Sequence, residues 1–168
     1  MTVKAFAIGL AATAMLGFTS LGAADSAEAP HRMHDHHQHE TQHPMEDTRT
    51  LVDLPEDLRS HMLANMRDHL LALQQIQDAL ARDEFEQAAQ IAEQRLGMTS
   101  LERHGAHEMA PFMPEQMRMT GTAMHRAASQ FALTAGDASA VGDVRPALAD
   151  LARVTAQCVA CHEAFRVQ

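Results

Sequence analysis

Cysteine is scarce in this chain of 168 residues, since Cys158 and Cys161 are the only two. A zinc site built on this pair would need two more thiol or imidazole ligands at a matching spacing, and no second cysteine pair is present. A thioredoxin-like dithiol would lie near the start of a βαβ pattern, whereas no strand pattern lies near this pair. A structural disulfide stays an alternative, although a C-x-x-C spacing inside a helix makes a poor crosslink.

Lysine is almost absent, because Lys4 is the only one in the chain. It precedes an apolar stretch over residues 5–21 that is too short and too rich in alanine and glycine for a membrane span. Gly22-Ala23-Ala24 supplies small residues for cleavage. The pattern predicts that residues 1–24 form a secretory signal peptide, with an uncleaved anchor as the alternative. No cysteine follows the apolar stretch, so a lipoprotein is not expected.

Basic charge is also low once the signal is removed. Residues 25–168 hold twelve arginines against twenty-two acidic residues, a formal charge of −10. This balance disfavours nucleic acid and anionic membrane surfaces as partners. A partner that is steered by charge should be basic; otherwise docking should be mostly apolar.

Apolar periodicity is missing from residues 25–50, and we expect a disordered tail over residues 25–53. Six of the twelve histidines lie within residues 31–43. Adjacent imidazoles could capture a divalent ion of copper, zinc or nickel. The alternative is a solvated tail that binds metal only incidentally.

Helical periodicity begins at Leu54, so residues 54–168 are expected to form one domain. The first helix is predicted over residues 56–82. Its apolar seam has spacings of four and three: Met62, Met66, His69, Leu73, Ile76 and Leu80.

Three further helices follow by the same reasoning. Asp83 is the predicted N-cap of the second helix, which should end near Gly97. Residues 98–113 form a connection, the third helix runs from Pro114 to about residue 136, and the fourth begins at Pro146. The fourth should carry one stripe of Leu148, Leu151, Thr155, Cys158, His162 and Phe165. The prediction is all-α, an up-down antiparallel four-helix bundle without strands.

The run Cys158-Val159-Ala160-Cys161-His162 is the attachment signal for c-type haem. Each thiol can form a thioether with a haem vinyl group, and the imidazole can ligate the iron. On one helix the three side chains lie within a turn of each other. We expect them on the inner face of the fourth helix, which should continue through residues 163–166.

The pattern Cys158-x-x-Cys161-His162-x-x-Phe165-Arg166 at the end of a four-helix chain resembles the class II cytochromes c, which include the cytochromes c′ and the cytochrome c-556 type. The resemblance implies one covalent haem c, with His162 as the proximal iron ligand. It places Arg166 on the proximal side, although a solvated terminal arginine is the alternative. It also implies a periplasmic protein, and members are often dimers through their first helices. The redox partner stays unidentified. No enzymatic activity is expected, because the sequence has no recognisable acid/base or nucleophile constellation.

The sixth iron ligand decides between the functions of this family. Low-spin members supply a methionine from the first helix, followed by asparagine three residues later, and here Met62 and Asn65 match that pattern. Met66 is the second candidate and His69 the third. A His/Met-ligated iron suits an electron carrier, whereas a vacant site suits a cytochrome c′-like protein that binds NO or CO. Both methionines could also be core filler.

A second group of sulfur and imidazole side chains crowds the connection and the start of the third helix. It suggests either a soft-metal site or ordinary packing under a long loop, and with the tail it makes a metal-handling protein the third functional hypothesis. The group consists of His104, His107, Met109, Met113, Met117 and Met119.

Overall fold

The computed structural model describes residues 46–167. The predicted signal peptide over residues 1–24 and the histidine-rich segment over residues 31–43 lie outside the described residues. The described part is mostly helical, which confirms the all-α prediction. Its elements are β1 (Thr50–Leu51), α1 (Glu56–Ala81), α2 (Phe85–Arg95), α3 (Ala106–Met109), α4 (Glu115–Val141), α5 (Arg145–Ala164) and β2 (Phe165–Arg166), with 3-10 turns at Met98–Ser100 and Ala110–Phe112.

Helix α1 agrees with its predicted bounds to within one residue. Pro55 lies immediately before the first helical residue, where its missing N–H removes a donor that no helical carbonyl could have accepted. The predicted seam faces the interior, with Met62, His69 and Ile76 buried.

The predicted N-cap at Asp83 is wrong. Asp83 has a φ of 59°, in the left-handed region, and closes the end of α1 instead of opening α2. The Glu84 amide donates to the Ala79 carbonyl at 2.9 Å, and the Asp83 amide donates to the Leu80 carbonyl at 3.2 Å. These two bonds form a Schellman ending, whose left-handed residue is usually glycine, and aspartate tolerates that conformation better than most residues.

The predicted end of the third helix at Gly136 is also wrong. Helix α4 continues to Val141 and ends at Gly142, whose φ of 76° is left-handed. Glycine in a helix interior costs only about 1 kcal/mol relative to alanine. The buried neighbours Ala135 and Ala138 carry the packing face past Gly136, so the helix does not stop there.

The chain end departs from the sequence prediction in a third way. Helix α5 ends at Ala164, and Phe165 is extended with φ −130° and ψ 151°. Thr50 pairs with Phe165, and Leu51 with Arg166, as two short parallel strands that the sequence did not predict. The packed part of the domain therefore begins before Leu54, the predicted boundary.

The predicted stripe on the last helix is correct only in part. Leu151 and Phe165 are buried, but Leu148 and His162 are exposed. The buried positions of α5 are instead Ala147, Asp150, Leu151 and Val154.

The helices pack in series, with α1 along α2, α2 along α4 and α4 along α5. Within residues 46–167, the first and last members of this series, α1 and α5, do not pack closely along each other.

The apolar side chains form two separate clusters. The main core is centred on Ile76, Phe131 and Val154, with contributions from α1, α2, α4 and α5. The second, which we call the methionine cluster, lies where the start of α1 approaches the end of α5. Its buried members are Val52, Leu54, Met62, Met109, Met117 and Phe165.

Candidate functional site

The two cysteines lie one turn apart near the end of α5 and are free, half-buried thiols. Cys158 packs against the main core and Cys161 against the methionine cluster. Burial raises the pKa of both thiols, and the neighbouring Cys158 raises the pKa of Cys161 further. Both are therefore protonated near neutral pH.

His162 does not share the buried face of these cysteines, so the prediction that all three side chains point inward is wrong for it. One helical step from Cys161 rotates the side chain by about 100°, and His162 is exposed. Its backbone carbonyl accepts a hydrogen bond from the Arg49 guanidinium at 3.3 Å. This bond satisfies one of the last carbonyls of α5, which have no partner within the helix.

The structure separates the two candidate methionines of α1. Met62 is 6% exposed and belongs to the methionine cluster, which Cys161 also contacts. Met66 is half-buried and belongs to neither apolar cluster. Met109 and Met117 are buried in the same cluster as Met62, and Met113 packs against it, so four thioethers lie in or against the cluster that Cys161 contacts. From the sequence, Met109 and Met117 are predicted to lie at the connection and the start of the third helix, apart from the cysteines.

Asn65, which follows Met62 by three residues in the predicted pattern, forms a hydrogen bond to the connection before α4. Its side-chain amide donates to the His104 carbonyl at 3.0 Å. The residue therefore ties α1 to the connection between α2 and α4.

Arg166 is neither a freely solvated terminal arginine nor fully paired. Its side chain is 24% exposed, and its Nε lies 3.6 Å from the Asp47 carboxylate. That distance allows attraction between the charges but no hydrogen bond. The Nε atom is buried and has no hydrogen-bond partner among the described residues.

Three buried histidines come together between the two apolar clusters. They arise from three different parts of the chain: His69 from α1, His104 from the connection and His125 from α4. The ring centroids lie 4.7 Å apart for His69 and His104, 5.4 Å for His104 and His125, and 6.2 Å for His69 and His125. The Nε2 atoms of His69 and His104 are 3.4 Å apart. We call this group the histidine triad.

Burial keeps the triad uncharged. It lowers the pKa of His69 to about 3 and that of His104 to about 4, and it also lowers the pKa of His125. The carboxylate of Asp68 opposes these shifts at His69 and His104, but it is outweighed by desolvation. All three side chains are neutral imidazoles at neutral pH.

The predicted group around the connection is thus divided by the fold. His104 joins the triad, Met109, Met113 and Met117 join the methionine cluster, and Met119 is 64% exposed. His125 is a buried member of the triad that was not predicted from the sequence. Its signal was the spacing to Ala128 and Phe131, which places it on the buried face of α4.

Comparisons with known proteins give no match: no family model, curated protein or solved structure is detectably similar to this chain. None of the helices in residues 46–167 has the length and apolarity needed to cross a membrane.

Proposed function

We propose that this protein is a single-haem c-type cytochrome that carries electrons and resembles the class II cytochromes c. One observation carries the proposal: Cys158 and Cys161 are free thiols one turn apart, and Met62 is buried in the apolar cluster that Cys161 contacts. Thioether attachment, an imidazole ligand and a thioether ligand are the parts that such a protein needs.

The arrangement of helices supports an up-down antiparallel four-helix bundle, with α1, α2, α4 and α5 as its members. Each is joined to the next by a turn or a compact connection and packs along it. We propose that a flat apolar group lies between α1 and α5, the two members that do not pack closely along each other. Cys158 and Cys161 lie on α5, and Met62 lies on α1.

The residues at the end of α5 fit the group. The thiols of Cys158 and Cys161 would form the two thioethers, and the exposed imidazole of His162 can turn to ligate the iron from the same helix. The haem, when bound, supplies one-electron exchange between ferric and ferrous iron. The methionine cluster would spread to admit it, because methionine adapts to irregular volumes.

Met62 is our first choice for the distal ligand, and Met66 is second. A buried thioether in an apolar cluster excludes water from the iron, whereas the half-buried Met66 lies outside that cluster. His69 is disfavoured because its Nε2 already faces His104. Met109 and Met117 are competitors that share the cluster with Met62.

Arg166 would serve an anionic group on the proximal side. Its buried Nε–H has no hydrogen-bond acceptor among the described residues, and a haem carboxylate could provide one. The charge of −10 over residues 25–168 supports a basic or apolar redox partner. We place the protein in the periplasm, where the predicted signal peptide would deliver it.

Covalent attachment is the first test. The full chain should be produced in cells that mature c-type cytochromes, and its intact mass should increase by one haem that survives denaturation. The variant Cys158→Ser/Cys161→Ser should carry none, whereas His107→Gln, an exposed control, should match the parent. A parent chain without covalent haem would refute the proposal.

The distal ligand is the second test. The ferric protein should show the charge-transfer band of iron–thioether ligation. Met62→Ala should lose it, and Met66→Ala should keep it. Loss in Met109→Ala or Met117→Ala alone would transfer the role to that residue. A parent protein that is high-spin in the ferrous state and binds CO readily would instead be a cytochrome c′-like gas-binding protein.

A further inference from the structure

The histidine triad has no part in the proposed haem attachment. Three imidazoles from three chain segments are each at most 9% exposed, and they face one another instead of packing separately. Burying polar rings costs free energy unless their nitrogens find partners. The hydrogen-bond partners of the ring nitrogens therefore indicate which nitrogens are free to bind a ligand.

The Nδ1 atoms of two members are occupied in a defined way. His125 Nδ1–H donates to the Leu96 carbonyl at 2.7 Å. The Ser100 hydroxyl donates to the Gly97 carbonyl at 2.6 Å, so its oxygen can accept from His104 Nδ1–H at 3.3 Å. Each neutral ring carries one N–H, and this assignment leaves the Nε2 lone pairs of His104 and His125 free. Metal-binding histidines commonly donate their other N–H to carbonyls or hydroxyls in this way.

The separation between His69 and His104 allows the two rings to share a bound ion. Their Nε2 atoms are 3.4 Å apart, so a direct hydrogen bond between them would be long. Two nitrogens on a tetrahedral zinc ion, each at roughly 2.05 Å, are separated by about 3.4 Å. The distance of 3.4 Å is therefore close to the ligand-to-ligand spacing of such an ion.

We infer that His69, His104 and His125 form an interior site for one divalent transition-metal ion of the zinc type, with water at its fourth position. Neutral nitrogen ligands suit zinc, and three histidines with an open position are a known zinc arrangement. This site is separate from the cysteines and does not depend on haem attachment.

One ring must shift for the site to close. Among the described residues, no group of three or more His, Cys, Asp or Glu side chains is already arranged to hold a metal ion. Three imidazoles on a tetrahedral ion would have centroids about 5.2 Å apart. The observed separations of 4.7, 5.4 and 6.2 Å lie around this value. Because the longest joins His69 and His125, the His125 ring would have to move towards His69 by about 1 Å.

The zinc content of the full-length protein tests the site. The variants are chosen to distinguish zinc bound by the triad from zinc bound by the histidines of residues 31–43. The protein is loaded with Zn²⁺ and dialysed against a chelator, and zinc per chain is then measured by mass spectrometry. We expect His69→Gln, His104→Gln and His125→Gln each to retain about one ion fewer than the parent, the ion that three imidazoles would hold. The controls His61→Gln and His107→Gln change exposed histidines and should match the parent.

A milder variant and a spectroscopic measurement cover the case in which a glutamine variant does not fold. Ser100→Ala removes only the acceptor of His104 Nδ1–H and should bind Zn²⁺ about 10–100-fold more weakly. Circular dichroism checks that each variant keeps the helical content of the parent. X-ray absorption at the zinc edge of the parent should report nitrogen ligands at about 2.0–2.1 Å, and fewer of them in a folded His125→Gln. Equal zinc binding by the parent, Ser100→Ala and every folded glutamine variant would overturn the inference and leave a hydrogen-bonded polar layer.

Discussion

Thr50 and Phe165 pair side by side in parallel strands, although they stand near opposite ends of the described chain. The Val52 amide extends the pairing by donating to the Arg166 carbonyl at 2.8 Å. Asp47 lies beside this clasp and binds Arg49, which in turn reaches the His162 carbonyl. The segment that precedes α1 is thereby held against the end of the cysteine-bearing helix.

The clasp should weaken when Asp47 loses its charge. Arg49 holds the pKa of the Asp47 carboxyl down to about 2, and Arg166 contributes in the same direction. In Asp47→Asn the Val52 amide should exchange its hydrogen faster, while amides in the middle of α4 keep the parent rate. The control is Asp143→Asn, which breaks a similar exposed pair with Arg145 far along the sequence. Unchanged exchange at Val52 in Asp47→Asn would assign the clasp to backbone pairing alone.

The same carboxyl predicts a pH dependence of the clasp. Its pKa is about 2 in the folded chain against 3.8 when unperturbed. A lowered pKa gives stabilisation that is complete above the unperturbed value and is lost as pH falls through the folded value. Protection of the Val52 amide, corrected for intrinsic exchange, should therefore be constant above about pH 5 and decline towards pH 2. In Asp47→Asn this decline should be absent.

Two glycines of α4 should respond to alanine with opposite signs. Gly136 lies inside the helix with open space where a Cβ would stand, so Gly136→Ala should stabilise the protein by about 0.5–1 kcal/mol. Gly142 has a left-handed φ of 76°, so Gly142→Ala should destabilise it by about 1 kcal/mol. Urea denaturation of both variants measures the difference. Stabilisation by both changes would mean that the left-handed position is not strained.

These positions show where sequence reasoning succeeded and where it failed. The seam of α1 was predictable because several buried positions repeat a single period over 26 residues. The end of α4 was not, because a glycine limits a helix only weakly and the deciding contacts of Ala135 and Ala138 come from other helices. The short strand pair was not predictable either, since two-residue strands leave no periodic pattern.

The candidate site was predictable in the same uneven way. The cysteines and His162 are adjacent in sequence, so their proximity follows from helical geometry. The triad joins His69, His104 and His125 across three segments, and no local spacing relates them. His125 is visible from sequence only as one more polar residue on α4.

The main core should depend strongly on Phe131, which is fully buried. Phe131→Ala should destabilise the protein by about 3–5 kcal/mol, the usual cost of removing a buried aromatic ring. Leu133 lies on the same helix but is 67% exposed. Leu133→Ala should therefore change the free energy of unfolding by less than about 0.5 kcal/mol. Comparable losses in both variants would contradict the orientation of α4.

The triad predicts a pH dependence of unfolding for the protein after its divalent ions are removed by a chelator. Burial lowers the pKa of His69 to about 3 and that of His104 to about 4, against 6.5 when unperturbed. Well above pH 6.5 these rings are neutral in both the folded and the unfolded chain, so they do not make the free energy of unfolding depend on pH. Between about pH 6.5 and 4 the unfolded chain binds protons that the folded chain does not, and stability falls as pH falls. The steepest contribution per histidine is about 1.4 kcal/mol per pH unit.

Removing one titrating ring should reduce that slope. His125, whose pKa is also lowered by burial, donates to a backbone carbonyl and can be replaced by glutamine, which does not titrate. In His125→Gln the stability, measured by urea denaturation, should fall less steeply than in the parent as pH drops below 6.5. His107→Gln replaces an exposed histidine outside the triad and should leave the slope unchanged. A parent protein with the same stability at pH 7 and pH 5 would show that the rings take up protons while folded, and that the triad is open to water.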